Sequence, residues 1–456
     1  MKLQKIMLGA AVLSLGFTAA ADVRISGYAD FSSTLAAQQY KNSGDGEGFQ
    51  DSKVMAEYGP FQNGIHFLNV DANVPYVDFH TGVWLGAGIG PWYGVDMYPD
   101  RTKDSDTGGV LLQMYLVTHF FGDQMRFYSG NFAGNGFTAD YVISGFVSDQ
   151  SHVSPLAMRG TSSANDSAFT GVEFLPKAIS GLKFIAGLPI APFTDAYEKF
   201  NDWNHLRKAT KFMMSYNYAV YNVTVNAGIR PNTYGTNGAR ADNDYTTSLF
   251  GESFVQLDMP SLVYGVHFNA SYDVRWRDVS VSAENTKSGE EWNKTAYAHM
   301  AVVSAKTTLV PNWTISVEDA LGFYDSHYIS INERALYNRL GLHAERPLAG
   351  TPYLFGFTGY FMYGQDANGS MMSRDADYCS DLVGYEWNFM AQGDLVTPKT
   401  GSNGRYLAGY VYPYFQKNFT NGKVSLGVEL NYFHGETSNI VQNFSWRIPL
   451  GVAFWW

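Results

Sequence analysis

Six arginines, Arg24, Arg126, Arg230, Arg275, Arg339 and Arg447, each stand in a run where polar and apolar residues take turns. Two acids, Asp140 and Asp149, lie instead among Phe137, Tyr141, Val142, Ile143, Phe146 and Val147. Groups of these types do electrostatic work: fixed cations facing fixed anions across a gap orient dipolar solutes and discriminate between ions. Bond-making chemistry has no comparable support. There is no HExxH, no GxSxG and no P-loop. The glycine-rich stretch 82–90 lacks the GxGxxG spacing, and no Lys-Ser or Lys-Thr follows it. His267, His299 and His343 fall on separate alternating runs, as polar wall groups rather than metal ligands would. Cys379 is the single cysteine and has no His or second Cys at ligand spacing, which makes it an incidental loop residue. No catalytic, cofactor or metal site is expected.

The elements that carry these residues have a period of two. Val23, Ile25, Gly27, Ala29 and Phe31 alternate with Arg24, Ser26, Tyr28, Asp30 and Ser32. Residues 262–276 place Tyr264, Val266, Phe268, Ala270, Tyr272, Val274 and Trp276 on one side, opposite Gly265, His267, Asn269, Ser271, Asp273 and Arg275. The chain ends on Trp446, Ile448, Leu450, Val452, Phe454 and Trp456 at every second position. Successive strand side chains point to opposite faces, so each run has one apolar and one polar face. A soluble sandwich also alternates, but these runs reach about 10 residues or more, the length of a tilted bilayer span. Aromatics gather at their ends, as at Tyr353 and Tyr363, where a membrane interface would hold them.

Composition agrees. Of 456 residues, 45% are hydrophobic, 16% aromatic and 16% charged, against about 25% charged in soluble domains. Mean hydropathy is -0.18, and no apolar run outside the N-terminus approaches the 18 or so residues of a membrane helix. Residues 1–21 read as a cleaved secretory signal: Lys2 and Lys5, then an apolar stretch to Phe17, then Ala19-Ala20-Ala21. Losing those two lysines takes the net charge from −11 to −13. That acidic balance argues against a nucleic-acid partner.

Connections alternate in length. Short turns are expected near Pro75-Tyr76, Gly122–Gln124, Pro176–Gly181, Tyr221-Asn222, Met259-Pro260-Ser261, Pro311-Asn312, Pro347–Pro352 and Thr420–Lys423. Long polar connections fall between them, the third at 133–165. This predicts an all-β, transmembrane antiparallel barrel of about eighteen strands, with sixteen as the alternative because 53–61 and 381–393 are ambiguous. Residues 22–456 form a single domain. Charge on the lipid side costs about 2–4 kcal/mol for an arginine near the midplane, so the six arginines are expected to face inward.

The immediate first strand, the alternation of short turns with long loops, and the aromatic final strand resemble a Gram-negative outer-membrane porin. The eighteen-strand count leans toward the substrate-specific, maltoporin-like type. The resemblance implies short periplasmic turns, long extracellular loops, a place in the bacterial outer membrane, and contact with outer-membrane lipid. It also implies delivery to the barrel-assembly machinery through the C-terminal strand, and a homotrimer. The activity implied is passive diffusion of small hydrophilic solutes or ions, with a cation or sugar preference and no enzymatic chemistry. Segment 133–165 would then fold inward, setting Asp140 and Asp149 against Arg24, Arg126, Arg230, Arg275, Arg339 and Arg447 as a constriction. Otherwise it is a surface loop, and the arginines are scattered wall polarity. The remaining alternatives are an adhesive surface protein whose loops do the work and a barrel-embedded enzyme.

Overall fold

The computed structural model describes residues 22–43, 46–49, 53–54, 63–86, 109–131, 168–189, 211–234, 249–281, 292–325, 334–365, 405–435 and 440–456. Every regular element among them is a strand. β1 (Asp22–Ser43) carries two short strands, β2 (Gly46–Phe49) and β3 (Lys53–Val54), on its loop end. The wall continues through β4 (Asn63–Val74), β5 (Val77–Gly86), β6 (Gly109–Phe120), β7 (Met125–Asn131), β8 (Ala168–Phe174) and β9 (Leu182–Pro189). It proceeds with β10 (Lys211–Tyr218), β11 (Val223–Tyr234), β12 (Leu249–Val263), β13 (Val266–Val281), β14 (Trp292–Thr307) and β15 (Thr314–Asp325). It ends with β16 (Arg334–Pro347), β17 (Tyr353–Gln365), β18 (Arg405–Phe419), β19 (Gly422–Gly427), β20 (Glu429–Gly435) and β21 (Ile440–Trp455).

Each wall strand pairs antiparallel with its neighbour in the chain, and β21 pairs with β1 to close the ring. β19 and β20 are one strand interrupted at Val428, and they keep a single register against β21. In that register Val428 stands opposite Ile448 and Gly427 opposite Pro449, which has no N–H to give the ladder beside the interruption. The result is a closed antiparallel barrel of eighteen strands, with no backbone edge left to face lipid.

The polarity of this barrel is inverted. Glu318 and Ala320 on β15 are 2% and 0% exposed, while Val317 and Leu321 on either side of them are each 45% exposed. The same split runs round the ring. Glu173, Ser215, Asn226, Gln256, Asn269 and Glu429 are buried on one face, and Phe174, Met214, Ile229, Val255, Tyr272 and Leu430 are exposed on the other. Apolar side chains turned outward and polar ones turned inward are what a bilayer selects. A few apolar residues, such as Ile185 and Met213, are buried inward beside Glu173.

Seven of the expected short turns fall where punctuation places them, at 75–76, 121–124, 175–181, 219–222, 308–313, 348–352 and 420–421. The eighth is a correction. β12 runs through Met259, Pro260 and Ser261 to Val263, and the turn is Tyr264-Gly265. Pro260 disturbs the ladder, which loses register between Met259 and Val263, but does not reverse the chain. Gly265 takes φ 70°, a left-handed conformation that glycine enters without steric cost. The strands β1, β11 and β13 also reach further toward the long connections than the polar composition of those segments suggests. Residues 1–21, Asp140, Asp149, Cys379 and the segment 193–206, whose Phe193, Tyr197, Phe200, Trp203 and Leu206 have helical spacing, lie outside the described residues.

Candidate pore wall

The inward face is built of histidine–carboxylate pairs set by hairpin register. Asp71 and His80 face each other across the Pro75-Tyr76 turn, with His80 Nδ1 and Asp71 Oδ1 2.6 Å apart. His80 stacks on Tyr115 of β6, centroids 4.5 Å apart and planes 17° from parallel. His119 sets one ring nitrogen on Asp78 at 2.6 Å and the other on Asp123 of the adjoining turn. On β12 and β13, His267 Nε2 meets Asp258 Oδ1 at 2.6 Å, and Asn269 donates to the same oxygen at 3.4 Å. On β16, Glu345 lies 3.5 Å from His343 Nε2 and accepts the Tyr414 hydroxyl at 2.7 Å. A carboxylate on a wall that excludes lipid keeps its charge at low cost when donors hold it.

Tyr414 belongs to an aromatic lane. It stacks on Tyr412, centroids 5.0 Å apart, on the inward face of β18. Gly356 of β17 makes room for it: a Cβ there would stand 2.0 Å from the Tyr414 ring. Nearer the short-turn end, Glu173 is the centre of a second cluster. Arg126 Nη1 lies 3.3 Å from it, the Tyr128 hydroxyl donates at 2.9 Å, and Lys183 Nζ is 3.9 Å away. A recess of about 590 Å³ opens beside it, lined by Gln124, Lys177, Lys183, Asn217 and Asn226 among others.

The six arginines stand at inward-parity positions at two levels. Arg24 is the third residue of β1 and Arg126 the second of β7, close to the short-turn end. Arg230, Arg275, Arg339 and Arg447 lie eight to ten residues from the short-turn ends of β11, β13, β16 and β21. At roughly 3.3 Å per residue the two levels are about 20 Å apart along the strands. Most have an acid opposite in register: Arg24 has Asp71, Arg126 has Glu173, Arg447 has Glu429, and Glu252 lies between Arg230 and Arg275. Arg339 stands opposite Ala320. Arg230 and Arg275 therefore share the register level of Glu252, and Arg24 and Arg126 stand at the other level.

One histidine is a correction. His299 does not face inward: it shares the outward face with Tyr272, whose hydroxyl lies 2.7 Å from His299 Nδ1. The histidine–carboxylate pairs were the feature that sequence reasoning passed over. The signal was present, since Asp71 and His80 are equidistant from the middle of their turn.

A closed ring of eighteen strands, polar within and apolar without, is the architecture of bacterial outer-membrane porins. No family model matches the chain, and no curated relative does. Solved structures similar to it include OmpT, an outer membrane protein of Vibrio cholerae, at 10% identity over 96% of this chain and 98% of that one, with a TM-score of 0.41. Pseudomonas putida OprB is similar at 11% identity over 96% and 94% of the two chains, TM-score 0.44. The outer membrane channel DcaP of Acinetobacter baumannii is similar at 9% identity over 96% and 98%, TM-score 0.44.

Proposed function

We propose that this chain is a porin: a water-filled outer-membrane channel for passive diffusion of small hydrophilic solutes, with a preference for cations. The observation that carries the reading is the closed, polar inward wall, on which Asp71, Asp78, Glu173, Asp258, Glu318, Glu345 and Glu429 stand among bases such as Arg24, Arg126, Lys183, Lys306 and Lys423; the preference for cations is drawn from the chain's net charge of -11. A channel lined by fixed acids concentrates cations and admits them ahead of anions.

Export on residues 1–21, cleavage before Asp22, and assembly through the aromatic last strand belong to the same proposal. So does an inward third connection, 133–165, with Asp140 and Asp149 facing the upper arginines. Sugar transit is a second reading, supported by the stacked pair Tyr412 and Tyr414, since ring faces of this kind pack against apolar faces of pyranoses. Liposome swelling tests both. Reconstituted protein should admit amino acids and monosaccharides at rates falling with solute size. Vesicles that swell no faster than protein-free controls would contradict the proposal.

A further inference from the structure

The turn between β8 and β9 is the longest of the described short turns, seven residues from Leu175 to Gly181. It is folded into two bends. Ile179 N–H donates to the Pro176 carbonyl at 3.2 Å, and Leu182 N–H to the Ile179 carbonyl at 3.3 Å. Gly181 is the third residue of the second bend at φ 83°, a position where such turns ask for glycine. The turn is also fastened to both neighbours. Leu175 N–H donates to the Gln124 carbonyl at 2.7 Å, and Asn217 N–H to the Gly181 carbonyl at 2.9 Å. A Cβ on Gly181 would stand 2.4 Å from the Asn217 carbonyl oxygen, so glycine lets β10 come this near. Lys177 then reaches over the β6–β7 turn, its Nζ 3.9 Å from where a Cβ on Gly122 would be. The recess of about 590 Å³ lies between these turns and the inward face of β9–β11.

Register builds the floor of that recess. Ser215 stands opposite Lys183 of β9 and Asn226 of β11, so one row across three strands reads Lys183, Ser215, Asn226. The next row toward the turns pairs Asn217 with Thr224. The amide nitrogens of the floor already donate, Asn217 Nδ2 to Thr224 Oγ1 at 2.8 Å and Asn226 Nδ2 to Gln256 Oε1 at 3.0 Å. Asn226 is 4% exposed, and its Oδ1 has no hydrogen-bond partner among the described residues. An acceptor left so is costly, and a ligand hydroxyl seated against Asn226 would satisfy it. Two ammonium groups, Lys177 and Lys183, line the recess with one carboxylate, Asp123, whose Oδ1 His119 holds. Glu173 stands behind Lys183 at 3.9 Å and does not line the recess. In a chain of net charge -11, this is a local excess of positive charge. Two ammonium groups suit the nearly two charges of a phosphate monoester, and the floor suits a body bearing hydroxyls. We infer that this recess is a binding site, at the short-turn mouth of the barrel, for a small sugar phosphate. Its phosphate lies on Lys177 and Lys183, and its hydroxyls on Asn217 and Asn226. This goes beyond passive diffusion, because a solute held there is selected by contact as well as by size.

The test is isothermal titration calorimetry of the refolded full chain in detergent micelles, with glucose 6-phosphate as the probe. Glucose 6-phosphate should bind saturably, and Lys177→Gln should weaken it about tenfold or more, as loss of one charged hydrogen bond would. Lys417→Gln removes the same charge from the outward face of β18, where Lys417 lies over the Tyr353 ring, and should bind as the wild type does. Glucose has the hydroxyls without the charge, and inorganic phosphate the charge without the sugar. Each should bind about tenfold or more weaker than glucose 6-phosphate. Gluconate, with one carboxylate, should also bind more weakly. Absence of saturable binding, equal binding by the wild type and Lys177→Gln, or any of the three comparison solutes binding as tightly would overturn the proposal. Heat-modifiable migration reports whether each variant is folded. Should Lys177→Gln fail to fold, the order of the four solutes on the wild type decides the matter by itself. Binding in micelles is read without any current, so its failure and the failure of the porin reading are separate results.

Discussion

Trp456 and Gly27 exchange both backbone hydrogen bonds, Gly27 N–H to the Trp456 carbonyl at 3.0 Å and Trp456 N–H to the Gly27 carbonyl at 3.1 Å. The Trp456 indole fills the space a side chain on Gly27 would need, for a Cβ there would stand 2.1 Å from its ring. The seam that closes the barrel therefore depends on a residue with no side chain at one end and the largest side chain at the other. Gly27→Val should destabilise the folded barrel by about 1–3 kcal/mol, the usual range for overpacking a filled site. Trp456→Ala in the same chain should remove most of that penalty, because the two positions are in contact and their effects do not add. Urea unfolding in detergent micelles, followed by tryptophan emission, measures both.

Glu173 is 4% exposed and takes Arg126, Tyr128 and Lys183 at once. Glu173→Ala leaves a guanidinium and a phenol on the wall without their acceptor. The expected cost is about 1–3 kcal/mol, held to the lower part of that range because Arg126 and Lys183 keep access to water. Glu173→Gln, which retains an acceptor oxygen, should cost less. The same unfolding curves separate the two variants.

Gly356→Ala should displace the Tyr414 ring and break its bond to Glu345. Tyr414→Phe keeps the ring and loses only the hydroxyl, for about 0.5–1.5 kcal/mol. If Tyr412 and Tyr414 hold sugars, Tyr414→Phe retains block of the current by a linear oligosaccharide, and Gly356→Ala weakens it. Current noise against sugar concentration provides the comparison.

Glu345→Gln and Glu429→Gln each remove a fixed inward charge. In a gradient of potassium chloride the reversal potential should move toward zero in both, and further in the double variant. An unchanged potential would place ion discrimination elsewhere on the wall.

The barrel was legible in the sequence because its rule is local. Alternation from Tyr264 to Trp276, or from Trp446 to Trp456, needs only the period of a strand and the demand of lipid on one face. Turns were legible where Gly and Asn coincide with reversal, as at Asn222 and Asn312, both at positive φ. Pro260 misled because proline punctuates strands as well as turns, and only the register of β12 against β13 tells which. With the turn placed at 259–261, Asp258 could not be seen to meet His267. The level of Arg275 depends on where β13 begins, which the turn expected at Met259-Pro260-Ser261 set too early. His299 and Asp319 escaped for a different reason. Each is a polar residue at an outward position, where parity was assumed to follow polarity.

Single-channel recording of the refolded protein in a planar bilayer tests the central claim most directly. The polar, closed barrel predicts discrete ohmic steps whose size scales with salt concentration and whose reversal potential in a salt gradient has the sign of cation preference. A folded, heat-modifiable protein that inserts and passes no current at any salt concentration would contradict it.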